Sequence, residues 1–297
     1  EFEWESILKL SDTFAIDFSV ESREFNNSLF AAQKLKDAIC DRMRDKFKKR
    51  PDVDVKNPAV QLHLLIRGSK MVISLDTSLN PLHKRGYRQE GGEAPLHENL
   101  ASALLRIAKY SKEETFLDIC AGSGTFLIES ALIATNTPPG YLRQKWGFES
   151  LPDFRLNEWI SFKDKVREKI IPLEPNKING IDINKARVME AKGNIRLAGF
   201  AKSINMEAQD LRHYKPAVKP SLIFANPPYG KRLEDEKTLV PLYRSIGDLF
   251  KEQAPARGFV LTGSMPLSKE VGLKASKRHV ITHGGLDARF LEFDIYK

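Results

Sequence analysis

The segment Asn226-Pro227-Pro228-Tyr229-Gly230, which follows the apolar run Leu222 to Ala225, contains residue types well suited to holding an amino group. Its two prolines restrict the backbone and remove two N–H donors, so carbonyl oxygens can face a pocket without competing donors. The Asn226 side-chain oxygen and the Pro227 carbonyl could accept both N–H groups of an exocyclic amine on a base. Tyr229 offers a ring on which an extruded base could stack. The alternative is a proline-rich turn that only closes a strand.

A second candidate site is the glycine-rich turn in the segment Leu117 to Thr125. Glycines permit a sharp turn and a close approach of the backbone to a ligand. A nicotinamide dinucleotide site would have a third glycine after Gly124 and an acid about 20 residues further on. Phe126 and Leu127 follow instead, and the next acid at a strand end is Asp182. The turn is therefore not typical of a nicotinamide site.

Three aspartates, Asp118, Asp182 and Asp210, end successive predicted strands. Alone, each would be read as a turn residue or a helix cap. Asp182 is placed to accept the hydroxyls of a ribose, and Asp210 to accept the amino group of an adenine. In this order the acids resemble the S-adenosylmethionine site of class I methyltransferases, in which the first acid and the glycine turn surround the amino-acid part. The resemblance implies that cofactor and the following contacts: Asp118, Cys120, Ala121, Gly122, Gly124, Thr125, Asp182, Ile183, Asp210, Leu211 and Asn226.

The two candidate sites together predict methyl transfer to an exocyclic base nitrogen. Such a nitrogen is a poor nucleophile because its lone pair is delocalised into the ring, and acceptors on its N–H groups would localise that pair. A methyl group on a sulfonium has an excellent leaving group. Placing the attacking nitrogen in line with the C–S bond therefore matters more than a strong base. We therefore expect the catalytic residues to be Asn226, Pro227, Pro228 and Tyr229. The sequence has no Ser-His-Asp or metal-ligand pattern that would indicate other chemistry.

Strand and helix patterns alternate from Pro95 onward, which predicts a doubly wound, mainly parallel sheet with a ligand crevice at the strands' carboxyl ends. The last two predicted strands are separated only by His283 to Arg289, too short for a helical crossover, so they should pair antiparallel. This layout is that of a Rossmann-like class I methyltransferase domain: an α/β fold whose seven-stranded, mostly parallel sheet ends in an antiparallel hairpin.

The first ninety residues predict a smaller α+β unit, with strands at 13–18, 60–66 and 71–75 and a helix at 28–49. Apolar residues occupy one face of that helix and basic residues lie mostly elsewhere. A solvated helix face is the alternative to a phosphate-binding surface. The turn-rich stretch that follows resembles a linker, and the predicted division is 1–78, 79–94 and 95–297.

The overall charge favours a polyanionic partner, since 47 Lys and Arg oppose 39 Asp and Glu for a net charge of +8. A basic surface without such a partner is the alternative. Two distant cysteines, Cys40 and Cys120, indicate neither a disulfide framework nor a zinc site. The chain has no apolar run of membrane-spanning length and no signal peptide, so we expect a cytoplasmic protein. Because it begins at Glu1 rather than Met, we expect N-terminal sequence to be missing.

Nearly the whole chain resembles the bacterial large-subunit ribosomal RNA guanine-N2 methyltransferases of the RlmL type, which join a THUMP RNA-binding domain to a catalytic domain. The matching stretches are Asn27 to Phe30, Lys34 to Ile39, Ser74 to Ser78, Leu82 to Arg88, Ala94 to Leu96, Glu98, Gly122 to Thr125, Pro139 to Gly140, Trp146 to Phe148, and Asn226 to Gly230. The resemblance implies guanine N2 of large-subunit rRNA as the acceptor and an N-terminally truncated THUMP-type domain. The basic helix and linker predict the RNA contacts Lys34, Lys36, Lys84, Arg85, Tyr87 and Arg88.

Three other functions remain open at this stage. Transfer RNA is the nearest alternative substrate, and a DNA adenine-N6 methyltransferase would carry the same Asn226 to Tyr229 motif. A non-catalytic RNA-binding protein is the third, although the intact glycine turn and strand-end acids speak against it. The family has further N-terminal sequence, and some members carry a second methyltransferase domain, so one modification is expected here. The insertion around Trp146 has no predicted role, and the pattern does not indicate an oligomeric state.

Overall fold

The computed structural model describes residues 2–21, 28–88, 96–229, 233–283 and 286–296, which form two units. The N-terminal unit comprises Glu1–Leu82 and Arg143–Lys165, and the C-terminal unit comprises His83–Leu142 and Val166–Lys297. The helix predicted at 28–49 is present as Ser28–Phe47, and the strands predicted at 60–66 and 71–75 are present and pair antiparallel. Within the described residues, no helix is both long and apolar enough to cross a membrane. The same residues contain no cluster of three or more His, Cys, Asp or Glu side chains that could hold a metal ion.

The N-terminal unit is a four-stranded sheet with one long helix against it. Its strands are β1 (Thr13–Glu21), β2 (Asp52–Val53), β3 (Val60–Arg67) and β4 (Lys70–Asp76), in the order β2-β1-β3-β4, and the helix is α1 (Ser28–Phe47). β1 runs parallel to β2 and β3, and only β4 is antiparallel. Alternate residues of the strands, among them Phe14 and Leu62, are buried against Ile39 and Met43 of α1 because strand side chains alternate between faces.

The insertion around Trp146 belongs to the N-terminal unit, although the sequence places it between elements of the catalytic domain. The Phe148 N–H donates to the Thr77 carbonyl at 3.1 Å, and the Arg143 guanidinium donates to the carbonyls of Ser78, Asn80 and Pro81. Gly147 lies so close to β4 that a Cβ there would be 2.3 Å from the Asp76 carbonyl oxygen. Only glycine fits this position, which explains the glycine between Trp146 and Phe148.

The C-terminal unit is built on seven strands. They are β5 (Phe116–Asp118), β6 (Ile178–Asp182), β7 (Ile204–Ala208), β8 (Leu222–Ala225), β9 (Ala256–Thr262), β10 (Lys277–His283) and β11 (Leu286–Ile295). The order is β10-β11-β9-β8-β5-β6-β7, with β11 antiparallel to both neighbours and the remaining pairs parallel. The predicted fold class is therefore confirmed, including the antiparallel hairpin at the end.

Helices cover both faces of this sheet. They are α2 (Glu98–Ile107), α3 (Thr125–Ala134), α5 (Lys185–Leu197), α6 (Leu233–Glu252) and α7 (Met265–Glu270); α4 (Leu156–Arg167) belongs mostly to the N-terminal unit. One apolar core joins α2, α3 and α5 to one face, and a second joins α6 and α7 to the other. Phe224 of β8 packs edge-on against Phe116 and Phe126, which fixes β8 beside β5. That pairing decides which loops meet at the carboxyl edge.

Candidate active site

The glycine turn connects β5 to α3 and has the backbone form that its residues predict. Gly122 and Gly124 have φ values of +53° and +82°, in the left-handed region that favours glycine. Gly124 is also the N-cap of α3, and a Cβ on it would be 3.2 Å from the Cβ of Ala191 in α5. A Cβ on Gly122 would meet nothing within 4 Å. The turn therefore packs closely on one side and is open on the other.

The turn is tied to the end of β6 by two backbone donors. The Ala121 N–H donates to the Ile181 carbonyl at 3.0 Å, and the Gly122 N–H donates to Asp182 Oδ2 at 2.9 Å. Asp182 Oδ1 accepts the Asn184 N–H at 2.9 Å. Directly after this acid, Ile183 is 69% exposed although it is apolar. An open turn, an acid and an exposed apolar side chain therefore lie at one edge of the sheet.

Asp118 at the end of β5 is almost completely buried, with 1% of its surface exposed. Its Oδ1 accepts the Cys120 N–H at 3.2 Å, whereas Oδ2 has no hydrogen-bond partner in the described part of the chain. Burial raises the pKa of this carboxyl to about 8, and the nearby charge of Asp182 adds to the rise. Burial also raises the pKa of the Cys120 thiol. A buried acceptor oxygen of this kind is costly unless a donor or a cation meets it.

Asp210 ends the segment after β7 and is held by its own neighbour. Arg212 Nε lies 3.0 Å from Oδ1 and 2.9 Å from Oδ2, and the Arg212 N–H also donates to Oδ1. These hydrogen bonds lower the pKa of Asp210 to about 2. Leu211 beside it is buried in the core shared with α6 and α7. An adenine amino group at Asp210 would therefore have to share the carboxylate with Arg212.

The Asn226 to Tyr229 segment leaves β8 beside the end of β5. Asp118 pairs in register with Phe224, and the Ile119 N–H donates to the Phe224 carbonyl at 2.9 Å, so the two strand ends are adjacent. Asn226 is half-buried, and its amide has no hydrogen-bond partner among the described residues. Pro227 is buried and Pro228 is exposed. The sheet thus brings the acid of the glycine turn and the Asn226 amide to neighbouring positions.

Two residues that sequence reasoning missed support this segment. A Cβ on Gly263, just after β9, would lie 2.8 Å from Tyr229 Cε2, so the Tyr229 ring rests against the Gly263 backbone. The Tyr243 hydroxyl in α6 lies 2.8 Å from Thr262 Oγ1 and 3.4 Å from the Pro228 carbonyl. Both neighbours come from elements distant in sequence. Of the two, only Gly263 had a signal in the sequence, namely a glycine directly after a predicted strand.

Two of the predicted RNA contacts, Arg85 and Tyr87, are buried in the C-terminal unit. Arg85 is 8% exposed and bonds to Glu129 of α3, and the Tyr87 hydroxyl donates to Glu129 Oε1 at 3.1 Å. Arg88 is half-buried, and its Nη2 donates a hydrogen bond to Thr125 Oγ1 at 2.8 Å. The prediction that Arg85 and Tyr87 contact phosphates is wrong, because buried side chains paired to Glu129 cannot also reach an external strand.

The other predicted RNA contacts lie at the surface. Lys34 on α1 is exposed and lies over the Phe30 ring, with Nζ 5.3 Å from the ring centroid. Lys36 is half-buried and pairs with Asp37 at 3.0 Å, and Lys84 is exposed. Their positions are compatible with phosphate contact, which stays a prediction. Of the stretches that resemble the RlmL-type family, the residues Asn27 and Ala94 to Pro95 lie outside the described part of the chain.

Replacing Glu129 by glutamine should destabilise the protein by about 3 kcal/mol, because the isosteric amide leaves the buried Arg85 charge without its carboxylate. The Glu129 side chain is 1% exposed and Arg85 is 10% exposed. The matched control is Glu158→Gln. The side chains of Glu158 and its partner Arg155 are 72% and 75% exposed, so this replacement should change the free energy of unfolding by less than about 0.5 kcal/mol. Urea unfolding of both variants measures the difference. Equal, small losses would show that the buried pair is not needed.

Comparison with known protein families gives two matches. The methyltransferase domain of the RMKL-like family matches residues 85–287, and the THUMP domain matches residues 1–76. The chain belongs to the RMKL-like methyltransferase family. The first match contains both candidate motifs, Gly122 to Thr125 and Asn226 to Tyr229, and the second contains the four-stranded sheet. The predicted resemblance to THUMP-containing ribosomal RNA methyltransferases is therefore confirmed.

Two curated relatives of this RMKL-like chain are named as RNA methyltransferases. The ribosomal RNA large subunit methyltransferase K/L of Methylococcus capsulatus is 36% identical over 294 residues, an alignment covering 95% of this chain and 39% of the relative. The putative RNA methyltransferase slr0064 of Synechocystis is 31% identical over 297 residues, covering 100% of this chain and 77% of the relative. The chain thus spans about two fifths of the length of its K/L relatives.

A solved structure shares the whole fold of this chain. SMU.472, described as a putative methyltransferase complexed with SAH, is 26% identical and superposes with a TM-score of 0.87. The alignment covers 99% of this chain and 78% of that protein. Both sheets of this chain therefore have counterparts in that protein.

Proposed function

We propose that this chain is an S-adenosylmethionine-dependent RNA methyltransferase that modifies guanine N2 in large-subunit ribosomal RNA. One observation carries the proposal: at the ends of the adjacent strands β5 and β8, an oxygen of the buried Asp118 and the amide of Asn226 have no hydrogen-bond partner among the described residues. The first needs a donor or a cation, and the second can accept an amino group. A cofactor site and an acceptor site would thus be neighbours.

The cofactor side fits S-adenosylmethionine, which supplies a methyl group on a sulfonium. Asp118 Oδ2 would meet the ammonium of its amino-acid part, beside the Gly122 backbone, whose open side leaves room for a ligand. Asp182 would hold the ribose hydroxyls with the lone pairs that its two backbone donors leave available. The exposed Ile183 would cover the adenine. The relative complexed with SAH supports this choice of cofactor.

The acceptor side is suited to an amino group on a flipped base. The Asn226 oxygen and the Pro227 carbonyl would accept its two N–H groups, keeping the nitrogen lone pair directed at the methyl group. Tyr229 would stack on the base, and Gly263 behind the ring keeps Tyr229 in place. With S-adenosylmethionine bound, these residues would direct the nitrogen at the sulfonium methyl group, so that the N–C bond could form as the C–S bond breaks, with the thioether as leaving group and the surplus proton passing to solvent. Orientation rather than base catalysis supplies the rate.

The choice of RNA rests on the N-terminal unit and on the relatives. A THUMP domain precedes the catalytic unit, and both curated relatives described above are named as RNA methyltransferases, one of them specifically for the large ribosomal subunit. The exposed Lys34 and Lys84 add positive charge, and the net charge of +8 favours a polyanion. Guanine N2 in large-subunit rRNA is therefore the substrate that we favour over transfer RNA and over adenine in DNA.

Transfer of radiolabelled methyl from S-adenosylmethionine tests this function. Protein-free ribosomal RNA, transfer RNA and genomic DNA serve as parallel acceptors, and nucleoside analysis identifies the product. We expect N2-methylguanosine in large-subunit rRNA and a signal that weakens as salt rises, because phosphate contacts release counterions. The same product in transfer RNA alone would reassign the substrate. N6-methyladenine in DNA with no labelled RNA would overturn the proposal.

Replacing Gly263 by alanine should reduce methyl transfer by about 10- to 100-fold, because the added Cβ displaces the Tyr229 ring that positions the base. The fold and the affinity for S-adenosylhomocysteine should be unchanged, since the ring itself can move. Gly193→Ala is the matched control, because a Cβ there meets nothing within 4 Å. Steady-state rates and calorimetry provide the comparison. Full activity of Gly263→Ala would argue against a stacking role for Tyr229.

A further inference from the structure

The segment Arg85 to Arg88 forms hydrogen bonds to one face of α3, the helix that begins at the glycine turn. Arg85 and Tyr87 bond to Glu129, and Arg88 bonds to Thr125, one helical turn earlier. Residues four positions apart lie on the same face of a helix. Gly86 makes the segment turn, with a φ of +100°. Four consecutive residues therefore form one structure, which we call the α3 clamp.

Arg88 reaches the first residue of the helix. One guanidinium nitrogen lies 2.8 Å from Thr125 Oγ1 and 3.2 Å from the Leu96 carbonyl, and Nε lies 3.6 Å from a Glu98 carboxylate oxygen. Glu98 is 3% exposed and Thr125 is 5% exposed, so this charged donor acts away from bulk water. Hydrogen bonds from a charged donor in such surroundings are stronger and more directional than those between neutral groups.

Thr125 directly follows Gly124, in the glycine turn whose open side at Gly122 faces the proposed cofactor site. The turn is already held on its far side, by Asp182 at Gly122 and by the Asn194 amide at the Ser123 carbonyl. Thr125 Oγ1 lies 3.4 Å from Ser123 Oγ within the turn and accepts a hydrogen bond from Arg88, which comes from outside the turn and the helix. Without it, the first turn of α3 would be held by packing and by the second half of the clamp at Glu129. The hydroxyl of Thr125 therefore transmits the position of Arg88 to the turn.

We propose that Arg88 is a positioning residue for the cofactor: it fixes the glycine turn through Thr125, and the Arg85–Tyr87–Glu129 half of the clamp anchors it. This rests on the proposed function, because the ligand of the turn is S-adenosylmethionine. Loss of the Glu129 half lowers stability. Loss of the Arg88–Thr125 bond lowers cofactor affinity, and Arg88→Met also lowers stability because it removes the cation that pairs with the buried Glu98.

Calorimetric binding of S-adenosylhomocysteine to Arg88→Met, Thr125→Val and the double variant tests the clamp. Each single variant should weaken binding by about tenfold, the scale of one hydrogen bond from a charged donor. The double variant should lose clearly less than the sum of the two single losses, because both single variants remove the Arg88–Thr125 bond. Thr125→Ser keeps the hydroxyl and should bind like the wild type. The KM for S-adenosylmethionine should rise by a larger factor than the turnover rate at saturating cofactor falls, because the affected step is cofactor binding.

A destabilised control separates positioning from general loss of stability. Phe250→Leu lies in the core on the α6 side and should lower the melting temperature without changing the affinity. Unchanged binding in Arg88→Met and Thr125→Val, or additive losses in the double variant, would overturn the clamp and leave the proposed function standing. If the wild-type protein itself failed to bind S-adenosylhomocysteine, the cofactor assignment would be overturned instead.

Discussion

Asn226→Ala should reduce methyl transfer to RNA by about 10²- to 10³-fold, the loss typical when one positioned hydrogen-bonding group is removed from a reacting centre. The Asn226 amide is half-buried and has no partner in the described part of the chain, so its oxygen is available to an incoming amino group. Without that acceptor, the nitrogen lone pair would be neither localised nor directed. The rate of a single turnover at saturating cofactor is the appropriate measurement.

The control for this prediction is a second asparagine outside the site. Asn205 on β7 is exposed and donates to Glu207 at 2.8 Å, so Asn205→Ala should have the wild-type rate. Binding of S-adenosylhomocysteine to Asn226→Ala should change little, which separates the acceptor side from the cofactor side. A wild-type rate in Asn226→Ala would place the reacting amino group elsewhere.

Cofactor affinity should rise with pH from 6 to 8 and become constant above about pH 8, because burial raises the pKa of Asp118 to about 8. Below that pH the free protein holds a proton on this carboxyl, and the ammonium of the cofactor can pair only with the ionised form. Binding must then release a proton. Each pH unit in this range should strengthen binding by up to about tenfold. Cys120 beside it remains a thiol throughout, since its pKa is raised further.

Calorimetry at pH 7 in buffers of different ionisation enthalpy counts the released proton directly. We expect close to one proton for the wild type and none attributable to this site in Asp118→Asn, whose weaker binding should also lose its pH dependence. Constant affinity from pH 6 to 8 in the wild type would contradict the role of Asp118.

The raised pKa of Asp118 also makes the stability of the free protein depend on pH. The folded pKa of Asp118 lies above its unfolded value of 3.8, so the folded state binds a proton that the unfolded state has released. This contribution to stability is fully present below about pH 4 and is lost as pH rises to about 8. Asp118→Asn removes that dependence, and thermal unfolding across this range measures it.

Local patterns were sufficient to predict the fold and the chemistry of each half of the site. The alternation of strands and helices after Pro95, and the short connection before the last strand, predicted the seven-stranded sheet with its antiparallel end. Gly122 and Gly124 could be read as turn residues because their left-handed φ values are a backbone property. Asn226 to Tyr229 follows a buried strand for the same local reason. Such features depend on neighbours in sequence, which the sequence displays directly.

The meaning of the Lys84 to Arg88 segment depended on the tertiary structure. As a sequence it is a basic, turn-rich stretch, and phosphate contact was a reasonable prediction. In the structure Arg85 and Tyr87 are buried because Glu129, more than forty residues away, supplies a carboxylate. A positive charge is equally compatible with an external phosphate and an internal acid. Composition cannot distinguish the two, since the deciding partner comes from another element.

What the sequence by itself determined were the residue types, their spacing along single elements and the order of those elements. What only the tertiary structure decided was which elements meet: the Trp146 insertion with the end of β4, Gly263 with Tyr229, and Arg88 with Thr125. Local propensities and patterns act over a few residues, and the chain displays them. Pairings between distant segments depend on how whole strands and helices pack, because burial and hydrogen bonding are satisfied for the complete unit rather than for one segment.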